Sequence, residues 1–475
     1  MVKHMLKRQI VEDILSPTFL INFILIIGVV VAFCLIFLDD YQGQVNAYAF
    51  KNAKNEITLR HFSEAPQDAY LDVNMQLVMK PRAERFVSLS YEDKSPQGLY
   101  FQMYPYQLRV LSKKEDITAG GFFFITKREY VTPPELFSPD LTFIVQFLLS
   151  FLAVILAFNA VTGEKETGTL KLIYANPAKR SHFIAMKYFS ALSTLGLPLL
   201  LSLIVSALIL GISSAVPLSS GFLYSLVMFA ILSFLYLSVF VLIGLLCSTT
   251  TRNSRHSLVL SLLFWILLVV ILPKSPGLLL DLKRFDVPTG QQIEEMTDKF
   301  MHDTQKKYHQ EFMALRSDKE AFERLAEKFE VEVLEGQQGI RDYYLNKKIA
   351  AVLTLRKVNM VSPATLYEYA ASAVAGTGIF HFENFRLQAR QFSEGFVSSA
   401  KQILGIKRTS SLYQLDTDAI TNKRIDYNSF PRFDEKDIAP GQRITEAVPF
   451  IGLLVLYNLF LFAFVFHKFQ TYDVR

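Results

Sequence analysis

Six stretches of the chain stay apolar for long enough to cross about 30 Å of hydrocarbon, which takes roughly 20 helical residues. They are Phe19–Leu38, Leu141–Thr162, Phe183–Ile212, Phe222–Cys247, Ser257–Pro273 and Val448–Phe466. The third contains Pro198, which predicts a kink or an interfacial start. The fifth is short but uninterrupted, and it ends at Pro273. The pattern predicts an all-α polytopic membrane protein with six transmembrane helices, over residues 17–38, 141–162, 183–212, 222–247, 257–273 and 448–466. Two long polar insertions, 39–140 and 274–447, separate them.

The insertions differ in pattern. In the first, Glu56-Ile57-Thr58-Leu59-Arg60-His61-Phe62 and Arg85-Phe86-Val87-Ser88-Leu89-Ser90-Tyr91 alternate with period two, as half-buried strands do. Tyr100–Tyr104 and Gly121–Thr126 are further strand candidates, and Pro133-Pro134 closes the segment. A partly β lobe is expected. In the second, Ile293, Met296, Phe300, Phe312, Leu315, Phe322, Leu325 and Phe329 recur at helical spacing. Ser317–Glu320 offers a helix N-cap, and 342–358 reads as another amphipathic helix. A coiled-coil hairpin and a bland helical spacer both fit.

Residues 1–16 precede the first span and carry Met5, Leu6, Ile10 and Ile14 on one helical face, with Lys7, Arg8, Glu12 and Asp13 elsewhere. Ser16-Pro17 ends that helix. A helix lying in the membrane interface is expected, retained rather than cleaved as a signal peptide, because no small-residue cleavage site follows Leu38. Orientation follows the Lys/Arg bias of short flanks. Lys3, Lys7 and Arg8, then Lys165, Lys171, Lys179, Arg180 and Lys187, then Arg252 and Arg255, and finally Lys468 and Arg475 share one side of a six-span chain. The short loop 213–220 carries no Lys or Arg. This places both termini (1–16 and 467–475) and the loop 163–182 in the cytoplasm, and the two insertions outside.

Composition narrows the chemistry. A chain 51% hydrophobic that still carries 20% charged residues divides into membrane and aqueous parts. A net charge of +5, concentrated in short loops, gives no reason to expect a nucleic-acid partner. Cys34 and Cys247 both fall in apolar runs, so neither a disulfide framework nor a Cys-based metal site is expected. His302 and His309, and His381 with Glu383, lack a second ligand pair. Gly163-x-x-x-x-Gly168-Thr169-Leu170 misses the P-loop Lys, so no nucleotide site, catalytic residue, metal or cofactor is expected in this chain. The span middles hold no Asp, Glu, Lys or Arg, which argues against proton coupling. Their many Ser and Thr residues fit close helix packing or a mildly polar path.

The loop after the second span reads Glu164-Lys165-Glu166-Thr167-Gly168-Thr169-Leu170, followed by Pro177 and Arg180. This wording resembles the cytoplasmic coupling loop of type-2 (ABC-2) ABC transporter permeases. The helix at 1–16 resembles that family's N-terminal elbow helix. Ser362-Pro363, the small-residue helix after it, Ala375-Gly376-Thr377-Gly378 and the terminal Tyr472-Asp473-Val474-Arg475 are similar to a subgroup with long extracytoplasmic insertions, related to the nitrous-oxide-reductase maturation permease.

The resemblance implies a non-catalytic permease subunit in the bacterial inner membrane. A separate ABC ATPase subunit would bind ATP and Mg. A second permease copy or a paralogue would complete a dimer, with membrane lipids and an extracytoplasmic protein as further partners. Export is the implied direction, and the uniformly apolar spans favour a hydrophobic or lipid-linked cargo. Glu164, Lys165, Glu166, Gly168, Thr169, Leu170, Pro177 and Arg180 become the ATPase-coupling residues. Glu164 and Glu166 are read as ion-pairing with the ATPase or with neighbouring cytoplasmic elements. The alternative is an assembly or mechanical-relay component that an ATPase drives without a transported substrate.

Overall fold

The computed structural model describes residues 11, 14–66, 73–89, 98–102, 107–111, 140–170, 180–213, 216–274, 287–404 and 423–471. Most of the helix expected at 1–16, the strand expected at 121–126, Pro133-Pro134, Pro177 and the tail from Tyr472 lie outside them. Six helices are long and apolar enough to cross a membrane. We label them α1 (Pro17–Glu64), α2 (Leu141–Glu166, with a turn at 158–161), α3 (Arg180–Ile212), α4 (Ser220–Thr250), α5 (Ser254–Lys274) and α10 (Pro440–Gln470). Between α5 and α10 lie α6 (Gly290–Ala314), α7 (Lys319–Asn359), α8 (Pro363–Ala375) and α9 (Ile379–Leu404).

α4 is the centre of the bundle, packed against α2, α3, α5, α8 and α10. Polar side chains pin its neighbours. Tyr236 donates to the Gln146 carbonyl at 2.9 Å, and Asn458 of α10 donates to the Leu235 carbonyl at 3.0 Å. In an apolar solvent these bonds replace a driving force that water would otherwise supply. α2 and α5 each contain a π-helical turn, Ile144–Leu149 and Ile266–Ile271. The two meet where Trp265 Nε1 donates to Ser150 Oγ at 2.8 Å. α3 continues through Pro198 as one helix.

Two strand readings are corrected. Residues 56–62 are the end of α1, which runs unbroken from Pro17 to Glu64, well past the apolar run that ends at Leu38. Their alternation of apolar and polar residues was compatible with a strand, but the helix propagates through them and buries Leu59 and Phe62 against the lobe. Residues 85–91 likewise form no strand where described. Ala83–Phe86 is a 3-10 turn that buries Phe86 against Phe33 and Phe37 of α1.

The β-structure is a three-stranded antiparallel sheet of β1 (Asn74–Val78), β2 (Gly98–Gln102) and β3 (Gln107–Leu111) in that order. Its edge is fastened to α1 by Asn55, whose amide donates to the Gln76 carbonyl at 3.0 Å and accepts from the Gln76 N–H at 2.9 Å. The core shared with α9 is aromatic, with Phe62, Phe101, Phe385, Phe396 and Phe430 buried together.

α6 and α7 form a helical hairpin. A Thr289/Gln292 capping box starts α6, and Asp318 caps α7 by accepting from the Ala321 N–H at 3.1 Å. Tyr308, Phe312, Phe322 and Phe329 interlock between them.

α8 is buried almost throughout. Ser225 near the start of α4 donates to the Val374 carbonyl at 3.1 Å. Tyr367 stacks on Tyr236 with ring centroids 4.5 Å apart, and Tyr236 lies about 24 Å along α4 at 1.5 Å per residue. At the start of α8, Ser362 donates to the Leu268 carbonyl of α5 at 2.6 Å, and Tyr457 of α10 donates to the Val361 carbonyl. The turn between α7 and α8 therefore reaches the middle of the span bundle, and α8 returns to the end from which α7 entered. The segment 274–447, read as wholly outside, includes this half-span helix. Thirteen residues are too few to register as a crossing.

Candidate functional site

The residues singled out after the second span gather at one end of the bundle. The turn before them is closed by Ser248, at the end of α4, whose hydroxyl accepts from the N–H groups of Val161 and Thr162, each at 2.9 Å. Thr162–Glu166 then forms a helical turn. Lys165 reaches across to the end of α4 and donates to the carbonyls of Ser248, Thr249 and Thr251 at 3.1, 2.7 and 2.8 Å. Those carbonyls carry the negative end of the helix dipole, the natural place for a cation.

The two acids face different elements. Glu164 pairs with Lys187 of α3 at 3.2 Å and accepts from the Thr169 hydroxyl. Glu166 accepts from both the N–H and the hydroxyl of Ser254, at 2.7 and 2.8 Å. Ser254 is the first residue of α5, so Glu166 caps that helix from outside it. Gly168 adopts φ +73°, the left-handed region that favours glycine, and ends the turn. Thr169 is half-buried and Leu170 is buried. Arg180 begins α3, and Pro177 lies outside the described residues. The structure thus ties Glu164, Lys165 and Glu166 to the ends of α3, α4 and α5. Sequence reasoning had not connected Ser248, Thr249, Thr251 or Ser254 with this loop. Ser254, just before an apolar run, was the readable signal.

At the opposite end, a buried ionic cluster joins the sheet lobe, the 287–404 segment and α10. Arg82 contacts Glu435 at 3.4 Å and Asp437 at 2.9 Å. Arg443 pairs with Glu84 at 3.2 Å, and His381 Nε2 lies 3.4 Å from Glu435. Glu435 also accepts from the Lys80 N–H at 2.7 Å. Burial, with Arg82 and Arg443 beside it, holds His381 well below the ordinary histidine value, so it sits there neutral. Gly376 closes α8 at φ +69°, and a Cβ there would meet Arg443 Nε at 3.0 Å. Nothing in the spacing of these residues announced the cluster, because its members come from three distant segments.

Among the described residues no group of His, Cys, Asp and Glu is arranged to hold a metal. The described residues form a bundle of six helices long and apolar enough to cross a membrane, with a cross-braced turn at one end and a folded lobe at the other. The chain belongs to the ABC-2 family of transporter proteins, whose family model matches residues 11–474. It is accordingly a multi-pass membrane protein and a membrane permease subunit of an ABC transporter, and the family implies an ATPase partner. A comparison with curated proteins finds no match.

Proposed function

We propose that this chain is the force-receiving permease of an ATP-driven exporter in a bacterial inner membrane. Both termini and the 163–182 loop face the cytoplasm, and the sheet lobe and the α6–α7 hairpin face outward. One observation supports this reading above the others. The turn Thr162–Glu166 is bonded by side chains to the ends of three other spans, so a push on it is delivered to α3, α4 and α5 together. A separate ATPase dimer hydrolyses Mg-ATP, its closure displaces this turn, and two permease copies or a paralogous pair complete the complex.

Co-purification of the full chain with its ATPase, followed by ATPase assays with and without the permease, tests the reading. The expected result is a stable complex whose turnover depends on an intact turn. Failure of the chain to bind or stimulate any ABC ATPase overturns it.

A second reading is favoured by α1, which carries the first span and the lobe on one helix. In that reading the ATPase drives the lobe and no cargo crosses. ATPase coupling together with a cargo released outside separates the first reading from the second.

A further inference from the structure

Arg356, in the last turns of α7, is only 8% exposed. Its guanidinium lies 4.6 Å from the ring centroids of both Tyr369 and Phe450, and 5.6 Å from that of Phe380. Its Nε has no hydrogen-bond partner among the described residues. Arginine remains charged in such a place, so an unmatched guanidinium there is costly unless something meets it.

Glu446 stands one turn before Phe450 on α10 and Glu368 is next to Tyr369 on α8, which brings two carboxyl groups close enough to act on the guanidinium electrostatically. No hydrogen bond or ion pair joins Arg356 to Glu446. A guanidinium and a carboxyl group therefore stand near one another, with no bond between them, beside three aromatic rings.

The level of this group along the bundle is informative. Arg443, in the ionic cluster, lies one turn of α10 before Glu446 and about 10 Å before Phe450 at 1.5 Å per residue. The apolar run of α10 begins at Val448. Arg356 and Glu446 thus sit where hydrocarbon gives way to headgroups, the level at which aromatic side chains collect. Phe380 on the rim and Val361 at the tip of the α7–α8 turn are exposed apolar residues, ready to meet acyl chains.

We infer that Arg356 and Glu446 form a binding site for a phosphoethanolamine lipid headgroup in the leaflet on the lobe side. The phosphate accepts from the Arg356 guanidinium, and the ammonium donates to Glu446. A zwitterion suits the site better than a simple anion, because the flanking acids repel an unaccompanied phosphate. The rings of Tyr369, Phe380 and Phe450 exclude water and strengthen both contacts. The site requires only that the six helices span a bilayer, and it stands whether or not the chain exports a cargo.

Native mass spectrometry of the purified full chain, offered dioleoyl-phosphatidylethanolamine, -choline or -glycerol, tests this. The intact chain should retain the ethanolamine lipid about tenfold better than the choline lipid, since a quaternary ammonium cannot donate a hydrogen bond and one charge-assisted bond is worth about that factor. Arg356→Gln should lose about tenfold in retention of both phosphatidylethanolamine and phosphatidylglycerol. Glu446→Gln should lose the preference for ethanolamine while keeping phosphatidylglycerol. Competition by soluble glycerophosphoethanolamine without displacement by diacyl lipid would assign the site to a free headgroup compound, and the lipid assignment would fall. Equal retention of all three lipids by the intact chain, or unchanged retention in Arg356→Gln at unchanged thermal stability, would reduce the aromatic cage to a packing device. Arg356→Lys, which keeps the charge, guards against misreading a folding failure.

Discussion

Glu166 and Ser254 are 88 positions apart in sequence, and the carboxylate of one holds both the N–H and the hydroxyl of the other. A residue at the end of the second span therefore caps the start of the fifth. This bond changes what the acids after the second span do. They brace the permease internally before any partner arrives.

Replacing Glu166 by Ala should cost stability, because the N–H and hydroxyl of Ser254 lose the carboxylate that caps α5. The amide variant Glu166→Gln should recover part of it. Thermal unfolding in detergent reads the loss, and ATPase stimulation measured on the same samples shows whether coupling falls further than stability does. Stimulation that tracks stability alone would leave Glu166 a cap and nothing more.

Lys165→Met should leave three carbonyls at the end of α4 without their cation. Hydrogen bonds from a charged donor are worth about 1.5–3 kcal/mol, so a loss of about 2 kcal/mol is expected. Insertion into the membrane should be normal. ATPase association should weaken, because the turn is no longer fixed to α4. Full association with full stability would separate Lys165 from the relay.

Gly168 and Gly376 provide an internal contrast. Both have positive φ, so Ala at either position should cost about 1–2 kcal/mol in backbone strain. A Cβ at Gly168 meets nothing within 4 Å, whereas at Gly376 it meets Arg443 Nε at 3.0 Å. Gly376→Ala should therefore be the more destabilising, and it should also disturb the Arg443–Glu84 pair. Equal melting temperatures for the two variants would contradict the packing described for α8.

Protonation of His381 supplies a pH test. Its folded value is depressed by burial and by Arg82 and Arg443, with Glu435 the acid that faces it. The unfolded chain takes up a proton near the ordinary value of about 6.5 while the folded chain does not. Stability from this group is thus present above that value and falls as pH drops through it. A His381→Asn variant should show a flatter stability profile between about pH 7 and pH 5. An unchanged slope would show that other groups govern the acid limb.

The six spans were legible because hydrocarbon demands long apolar runs, and nothing else in the chain imitates them. The Glu164–Arg180 wording also stood out. The partners of Glu164, Lys165 and Glu166 were hidden because Lys187, Ser248 and Ser254 become neighbours only once the spans are bundled. Residues 56–62 misled for a local reason: their polar and apolar residues alternate, but α1 was already propagating and its next turns found a lobe to cover them. The small-residue helix after Ser362-Pro363 was legible, but the burial of α8 among the spans was hidden by its length and its small side chains, which let it fit between α4 and α10. The pairing of Arg82, Glu84, Glu435 and Arg443 is a tertiary fact with no local signature.

The unbroken α1 has a mechanical meaning. About 39 Å of it, residues 39–64 at 1.5 Å per residue, projects beyond the apolar run and is bonded to the sheet through Asn55 and to the lobe core through Phe62. No hinge interrupts it. A tilt of about 10° in the first span sweeps the far end sideways by about 7 Å, given that rise. The first span is thus a lever arm, and the lobe is the load fixed to its tip.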